Sequence, residues 1–155
     1  MAKNTKHLRI IAGIWRGRHI KFTADGHLRP TTDFIRETLF NWLMPYIAGA
    51  RCLDCFAGSG ALGFEALSRG AAHVTMIDRS PKACADLKEN AATLGILESD
   101  TLNIYCKKFP YKEENWQPFD TVFLDPPFAK NLIEPSCAFL ESANLIKNGS
   151  LIYVE

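Results

Sequence analysis

The chain has 155 residues, of which 47% are hydrophobic and 23% are charged, as is typical of a soluble globular protein. No apolar run is long enough to cross a membrane, and residues 1–6 lack the apolar core of a secretion signal. We therefore expect a single cytoplasmic domain over residues 1–155, with no membrane partner.

The first thirty residues are strongly basic. They hold seven Lys or Arg residues and one acid, a net charge of +6, whereas the other 125 residues sum to −5. Residues 8–11 and 18–22 have the pattern of two short strands around a turn that carries an exposed-looking Trp15. We interpret residues 1–32 as a basic β-hairpin extension that faces a polyanion such as a nucleic acid. An ordinary solvated tail is the alternative.

A polar loop at residues 28–33 precedes a predicted helix. Thr32 or Asp33 can cap this helix, whose apolar residues recur every four positions. Pro45 should end it. Arg36 lies in its first turns, where periodicity alone predicts a surface position.

The rest of the chain alternates between strands and helices. The predicted strands are residues 52–56, 73–77, 102–105, 121–124 and 150–154, and the predicted helices are residues 61–69, 81–94 and 134–143. This order predicts an α/β fold, with a doubly wound, mostly parallel Rossmann-like sheet over residues 33–155.

The cysteines and histidines do not predict a metal site. Five cysteines lie in predicted strands and helices, which favours reduced, buried thiols over a disulfide framework. Cys52 and Cys55 form a C-x-x-C pair, but their spacing along a strand should place them on opposite faces of the sheet. No second pair completes a zinc site, and the histidines show no ligand spacing.

A glycine-rich corner, residues 57–60, joins the first predicted strand of the sheet to a helix. Such a corner lets the backbone approach a ligand closely and presents free N–H groups at the helix start. Gly58, Gly60 and Gly63 satisfy the dinucleotide pattern G-x-G-x-x-G, and Asp78 ends the next strand, where it could bind a ribose. A nicotinamide dehydrogenase is therefore one interpretation of this corner.

Acidic residues favour a different cofactor and a particular substrate group. Asp54 lies inside the strand before the glycines, where an anion suits the cationic end of S-adenosylmethionine better than a pyrophosphate. Asp125, Pro126, Pro127 and Phe128 follow the fourth predicted strand, at the same edge of the sheet. The two prolines have no N–H groups, so their carbonyls can only accept hydrogen bonds, while Asp125 adds a carboxylate acceptor and Phe128 an aromatic face. An exocyclic amino group on a flat base needs these groups.

Together these motifs resemble the class I S-adenosylmethionine-dependent methyltransferases. More narrowly, the chain resembles the bacterial 16S ribosomal RNA guanine-N2 methyltransferases of the RsmD type. The resemblance covers essentially the whole chain and rests on residues 29–33, 36–41, 53–63, 65–70 and 125–128. It implies S-adenosyl-L-methionine as the cofactor and methyl transfer to N2 of one guanine. The implied partner is 16S ribosomal RNA, in the small ribosomal subunit or its assembly intermediate, and we expect a monomer.

The predicted site contains three groups of residues and no metal. The catalytic residues are Asp125, Pro126, Pro127 and Phe128. The cofactor-binding residues are Asp54, Phe56, Ala57, Gly58, Ser59, Gly60, Asp78, Arg79 and Phe109. The substrate-binding residues are Arg16, Arg18, Arg29, Thr31, Thr32 and Arg36.

The chain departs from the family pattern in two places. Residues 106–109 are Cys-Lys-Lys-Phe where the family tends to place a small polar residue near the adenine. The chain also stops after the fifth predicted strand of the sheet, whereas the family fold adds an antiparallel strand pair. We therefore expect a truncated chain with a bare sheet edge. Amino-group methylation of DNA adenine N6 or protein glutamine N5, and a non-catalytic RNA-binding module, are the alternative functions.

Overall fold

The computed structural model describes residues 4–24, 31–96, 101–111, 115–127 and 131–155. Its elements in chain order are β1 (Thr5–Arg9), β2 (His19–Thr23), α1 (Asp33–Ile47), β3 (Arg51–Asp54), α2 (Ala61–Ser68), β4 (His73–Asp78), α3 (Pro81–Thr93), β5 (Leu102–Cys106), β6 (Phe119–Leu124), α4 (Ile133–Ser142) and β7 (Ile146–Val154). None of the described helices has the length and apolar character needed to span a membrane.

The last five strands form one parallel sheet in the order β5-β4-β3-β6-β7. The predicted doubly wound parallel sheet is therefore confirmed. The strand order reverses between β3 and β6, and open α/β sheets bind ligands at the carboxyl ends of the strands that flank such a reversal. Asp54 of β3 pairs with Phe123 of β6, so the residues that follow β6 emerge beside the glycine corner.

Strand residues alternate between two hydrophobic cores, one on each face of the sheet. Cys52 packs in the core that includes side chains of α1, α2 and α3, whereas the adjacent Leu53 packs in the core that includes side chains of α4. Full burial of a side chain such as Leu53 contributes about 1.5–3 kcal/mol. Cys55 lies in the second core, so the two cysteines of the C-x-x-C face opposite ways, as predicted. All five cysteines are free, and no cluster among the described residues could hold a metal ion.

Helix α1 begins as predicted but ends later than predicted. The Thr32 hydroxyl caps it by accepting a hydrogen bond from the Ile35 N–H at 3.3 Å. Pro45 lies inside the helix, so the prediction that it ends the helix is wrong. A proline removes one intrahelical hydrogen bond, but the last turn persists because Ile47 is buried in the core.

The N-terminal residues form the predicted hairpin, in which β1 and β2 are antiparallel and Thr5 pairs with Thr23. The first strand covers residues 5–9 rather than the predicted residues 8–11. The strand does not continue to residue 11 because the N–H groups of Ile11 and Ala12 donate to the Glu65 carboxylate of α2 instead of to the partner strand.

Helix α3 covers the outer edge of the hairpin. The Asn90 side chain donates to the Lys21 carbonyl at 2.7 Å and accepts from the Lys21 N–H at 3.0 Å. The Thr23 N–H donates to Asp86 at 2.9 Å. These bonds satisfy a strand edge that could otherwise pair with another chain. Trp15 packs partly against the core, so the expectation that it is exposed is wrong.

Candidate active site

The corner between β3 and α2 requires glycine at two positions. Gly60 is the N-cap of α2 with a φ of 82°, and a Cβ there would lie 2.6 Å from the Phe64 ring. Gly63 lies against β4, where a Cβ would clash with the methyl group of Met76. The first glycine permits the turn and the second permits close packing of α2 on the sheet. The start of α2 therefore lies directly at the carboxyl edge of β3.

Asp78, the last residue of β4, is held against this corner. The Gly58 N–H donates to its Oδ2 at 2.8 Å, and the Ser80 N–H donates to its Oδ1 at 2.9 Å. Each oxygen retains further acceptor capacity. The carboxylate is half-buried and can accept hydrogen bonds from a pair of ribose hydroxyls, while Arg79 beside it is exposed.

Asp54, the last residue of β3, is 2% exposed. Burial, and then the charges of Asp125 and Asp78, raise its pKa to about 8, although hydrogen bonds from the Gly63 and Phe56 N–H groups lower it. No lysine or arginine among the described residues forms an ion pair with it. A buried carboxylate without a cation is unfavourable. This site therefore fits the cationic end of a cofactor and disfavours a pyrophosphate.

Asp125 lies at the same edge, directly after β6. Burial, and then the charge of Glu155, raise its pKa to about 6. Pro126 is buried and Pro127 is exposed. Because neither proline has an N–H group, these residues offer acceptors only. The predicted stacking residue, Phe128, lies outside the described residues.

Asp125, Pro126 and Pro127 are called the acceptor segment below. A cleft of about 870 Å³ opens beside its two prolines. It is lined by Pro126, Pro127, residues 131–135, Ala138 and Glu155. Its volume is within the range of small-molecule sites. A smaller recess of about 300 Å³, between Gly49 and Gly149, contains none of the predicted site residues.

The other predicted cofactor residues lie at the turn or in an aromatic cluster. Ala57 and Ser59 are buried in the turn. The rings of Phe56 and Phe109 have centroids 6.2 Å apart, and Phe109 also meets Phe139 edge-on at 5.8 Å. This cluster forms an apolar wall after β3, of the kind that a flat base can pack against.

The predicted substrate-binding residues fall into different environments. Arg16 and Arg18 are exposed on the hairpin. The Thr31 hydroxyl donates to the Glu155 carboxylate at 3.2 Å. Arg29 lies outside the described part of the chain.

Arg36 is 1% exposed, so the expectation of a surface position is wrong. Its guanidinium lies 2.6 Å from the Asp33 carboxylate and 3.4 Å from that of Glu65, and it donates to the Arg9 carbonyl at 2.9 Å. Apolar periodicity could not predict this burial, because the partner carboxylate lies on another helix. We assign Arg36 a structural role that joins α1, α2 and the hairpin, in place of a substrate contact.

Glu65 is the residue that the sequence analysis missed. It is fully buried and accepts from the Ile11 and Ala12 N–H groups at 2.8 and 3.1 Å, and from Arg69 at 3.1 Å. Together with Arg36, these donors compensate its buried charge. The i, i+4 spacing of Glu65 and Arg69 on one helix face was the available signal.

Sequence comparisons identify relatives of this chain. The chain matches the family model described as Conserved hypothetical protein 95 over residues 8–155. It is 48% identical over 150 residues to Ribosomal RNA small subunit methyltransferase D of Haemophilus influenzae, a match that spans 96% of this chain and 78% of that protein. The protein of the same name from Escherichia coli is 47% identical over 148 residues, spanning 96% of this chain and 74% of the relative.

Solved structures share the fold. The Escherichia coli protein yhhF superposes with a TM-score of 0.83 at 42% identity, covering 96% of this chain and 80% of that one. The Haemophilus influenzae protein HI0767 superposes with a TM-score of 0.78 at 46% identity, covering 96% and 81%. The family model, which matches residues 8–155, includes the glycine corner and the residues that follow β6.

Proposed function

The chain belongs to the RsmD family of methyltransferases, and we propose that it transfers a methyl group from S-adenosylmethionine to N2 of a guanine in small-subunit ribosomal RNA. The observation that carries this proposal is the cluster of Asp54, Asp78 and Asp125 at one sheet edge, where burial and the charges of Asp125 and Asp78 raise the pKa of the Asp54 carboxyl. The names of the relatives support ribosomal RNA as the substrate, and hence activity in the cytoplasm.

The described residues fit this cofactor at three places. When bound, S-adenosylmethionine supplies a methyl group on a positively charged sulfur. Asp54 and the backbone of the turn at Gly58–Gly60 would lie against the methionine end, and Asp78 would accept hydrogen bonds from the ribose. The N–H groups of Gly58 and Gly60 already donate within the turn, to Asp78 and to the Ala57 carbonyl. Phe56 and Phe109 would pack against the adenine. The Asp125 carboxylate and the ionised form of Asp54 would repel the pyrophosphate of a dinucleotide, which argues against a dehydrogenase. Asp78 would suit the ribose of either cofactor.

The acceptor segment fits an exocyclic amino group. The lone pair of guanine N2 is delocalised into the ring, which makes this nitrogen a poor nucleophile. The Asp125 carboxylate and the Pro126 carbonyl would accept its two hydrogens, orient the lone pair and stabilise the positive charge that develops on nitrogen. A pKa of about 6 keeps most Asp125 side chains ionised at pH 7. Phe128 would supply a stacking face for a base turned out of its RNA context.

The hairpin supplies a surface for the RNA backbone. The side chains of Lys6, Arg16, Arg18 and Lys21 are exposed there. Cations of this kind attract phosphates and displace condensed counterions. Because the hairpin is hydrogen-bonded to α2 and α3, we expect these cations to keep a constant position relative to the glycine corner at residues 57–60.

Incubation with radiolabelled S-adenosylmethionine tests the proposal. Small-subunit ribosomal RNA, assembled subunits, DNA and protein are offered in parallel, and the labelled product is digested and identified. We expect label in RNA, as N2-methylguanosine. Label in DNA adenine or in protein glutamine would contradict RNA as the substrate but would support methyl transfer to an amino group. Calorimetry that shows binding of NAD and none of S-adenosylmethionine would contradict the cofactor.

A further inference from the structure

A second carboxylate, that of Glu155, lies beside Asp125 and lines the cleft. Leu124 of β6 pairs with Val154 of β7, and the Glu155 N–H donates to the Leu124 carbonyl at 3.0 Å. Asp125 and Glu155 are therefore the next residues on two neighbouring strands, which lie about 4.8 Å apart in a sheet. The two carboxylates leave the sheet side by side.

Two hydroxyl groups hold the Glu155 side chain. Thr31 Oγ1 donates to Glu155 Oε2 at 3.2 Å, and Tyr153 Oη donates to the same oxygen at 3.1 Å. Within the described ranges no donor bonds to Oε1. Glu155 also lines the cleft together with Pro126 and Pro127. The two hydroxyl groups fix the position of the carboxylate, and each carboxylate oxygen has two lone pairs, so Glu155 keeps acceptor capacity for a molecule in the cleft.

Two adjacent carboxylates can accept hydrogen bonds from two adjacent donors on one base. On its Watson–Crick edge, guanine presents N1–H next to the N2 amino group, so both positions donate. Adenine presents an amino group next to N1, which carries a lone pair and can only accept. With the amino group at Asp125, guanine can donate N1–H to Glu155, whereas adenine would direct a lone pair at this carboxylate.

We propose that Glu155 is a specificity-determining residue, which selects guanine by accepting a hydrogen bond from N1–H while Asp125 holds the N2 amino group. This inference rests on the proposed function and adds that the site recognises guanine by its N1–H group. It also explains why the fold sets two carboxylates together at the acceptor segment, since two neighbouring donors satisfy both.

The test compares guanine with 2,6-diaminopurine, which keeps the 2-amino group but has an acceptor at N1. RNA carrying either base at the mapped target position is methylated by the wild type and by Glu155→Gln. We expect the wild type to prefer guanine by about 10- to 100-fold in kcat/KM. Glu155→Gln should reduce this ratio at least about tenfold, because an amide can donate to the diaminopurine N1. Glu134→Gln removes another carboxylate of the same cleft and should keep the wild-type ratio.

Each outcome separates this inference from the proposed function. A wild type that labels guanine N2, with a ratio unchanged in Glu155→Gln, would overturn the role of Glu155 alone. A wild type that labels no guanine N2 would overturn both. If Glu155→Gln does not fold, Tyr153→Phe removes one donor to Oε2 and keeps the carboxylate. It should reduce the ratio about two- to fivefold, and an unchanged ratio there would also overturn the inference.

Discussion

Two buried carboxylates in neighbouring elements, Asp54 of β3 and Glu65 of α2, have opposite surroundings. Glu65 is paired with Arg36 and Arg69 and also accepts from two backbone N–H groups of the hairpin region. Asp54 accepts from backbone N–H groups, but its charged neighbours are Asp78 and Asp125. The first charge is balanced within the protein, whereas the second would be balanced by a cationic ligand.

This difference separates a charge that is balanced within the fold from one that we propose a ligand balances, and both lie in a single strand–turn–helix unit. Helix α2 begins at the glycine corner with Gly60 as its N-cap. Farther along the helix, Glu65 and Ser68 accept hydrogen bonds from backbone N–H groups of the hairpin region. One helix therefore sets the position of the basic surface relative to the cluster of carboxylates. The following substitutions test whether the two carboxylates differ as their surroundings predict.

Glu65→Gln should have the largest effect, on stability. It removes the charge that pairs with Arg36, whose side chain is 1% exposed, and breaking a buried pair in this way costs about 3–5 kcal/mol. Urea unfolding followed by circular dichroism measures the change. Glu89→Gln, on the exposed face of α3, is the control and should change the free energy of unfolding by less than about 0.5 kcal/mol. If both variants unfold alike, the Glu65 network is not what stabilises the fold.

Asp125→Ala should have the next largest effect, on turnover. It removes a preorganised acceptor, which typically costs about 100-fold or more. Asp125→Asn keeps a carbonyl oxygen of the same reach and should keep measurable activity. Single-turnover transfer measures both, and saturating cofactor separates turnover from any change in affinity that follows the loss of a charge beside Asp54. Near-complete loss in both variants would instead indicate a general base, and full activity in Asp125→Ala would remove this residue from the mechanism.

The pH dependence of cofactor affinity tests the uncompensated carboxylate. Asp54 has a pKa of about 8 in the free protein, and a cation binds best to its charged form. Affinity for S-adenosylmethionine should therefore rise by up to about tenfold per pH unit between pH 6 and 8, with release of a proton. Calorimetry in two buffers of different ionisation enthalpy measures that proton. Asp54→Asn should weaken cofactor binding and make the affinity independent of pH between 6 and 8. If this variant keeps the wild-type pH dependence, another titrating group causes it.

The same raised pKa has the opposite consequence for stability. The pKa of Asp54 is about 8 in the folded protein and about 4 in the unfolded chain, so the folded state binds more protons between these values. The free energy of unfolding should therefore fall as the pH rises from about 4 to about 8. Asp54→Asn should flatten this fall, whereas Glu65→Gln should not. A wild-type stability that rises across the window would contradict the uncompensated state of Asp54.

The parts of the site that the sequence predicts are those built from contiguous residues at strand ends. The corner at Gly58–Gly60 and the segment at Asp125 are short motifs, and the parallel sheet brings them together at one edge. Arg36 could not be predicted in this way, because its burial depends on a carboxylate 29 residues away on another helix. The pairing of Glu155 with Asp125 likewise depends on the register between β6 and β7.

The hairpin cations should give the smallest effect, on the salt dependence of RNA binding. Arg16, Arg18 and Lys21 are exposed, and each phosphate contact contributes about 0.7–0.9 to the slope of log K against log salt. Replacing all three by glutamine should reduce this slope by about 2–3. The three side chains lie outside the carboxylate cluster, so cofactor affinity should stay the same. Filter binding over a range of salt concentrations measures the slope.

A matched control separates the position of these charges from their number. Replacing Lys82, Lys88 and Lys147 by glutamine removes the same charge from exposed positions outside the hairpin. If the hairpin is the RNA surface, this variant should keep most of the wild-type slope. An equal loss of slope in both triple variants would mean that RNA responds to the net charge of the protein. The hairpin held by Glu65 would then be a structural attachment only, and the RNA surface would have to be sought elsewhere.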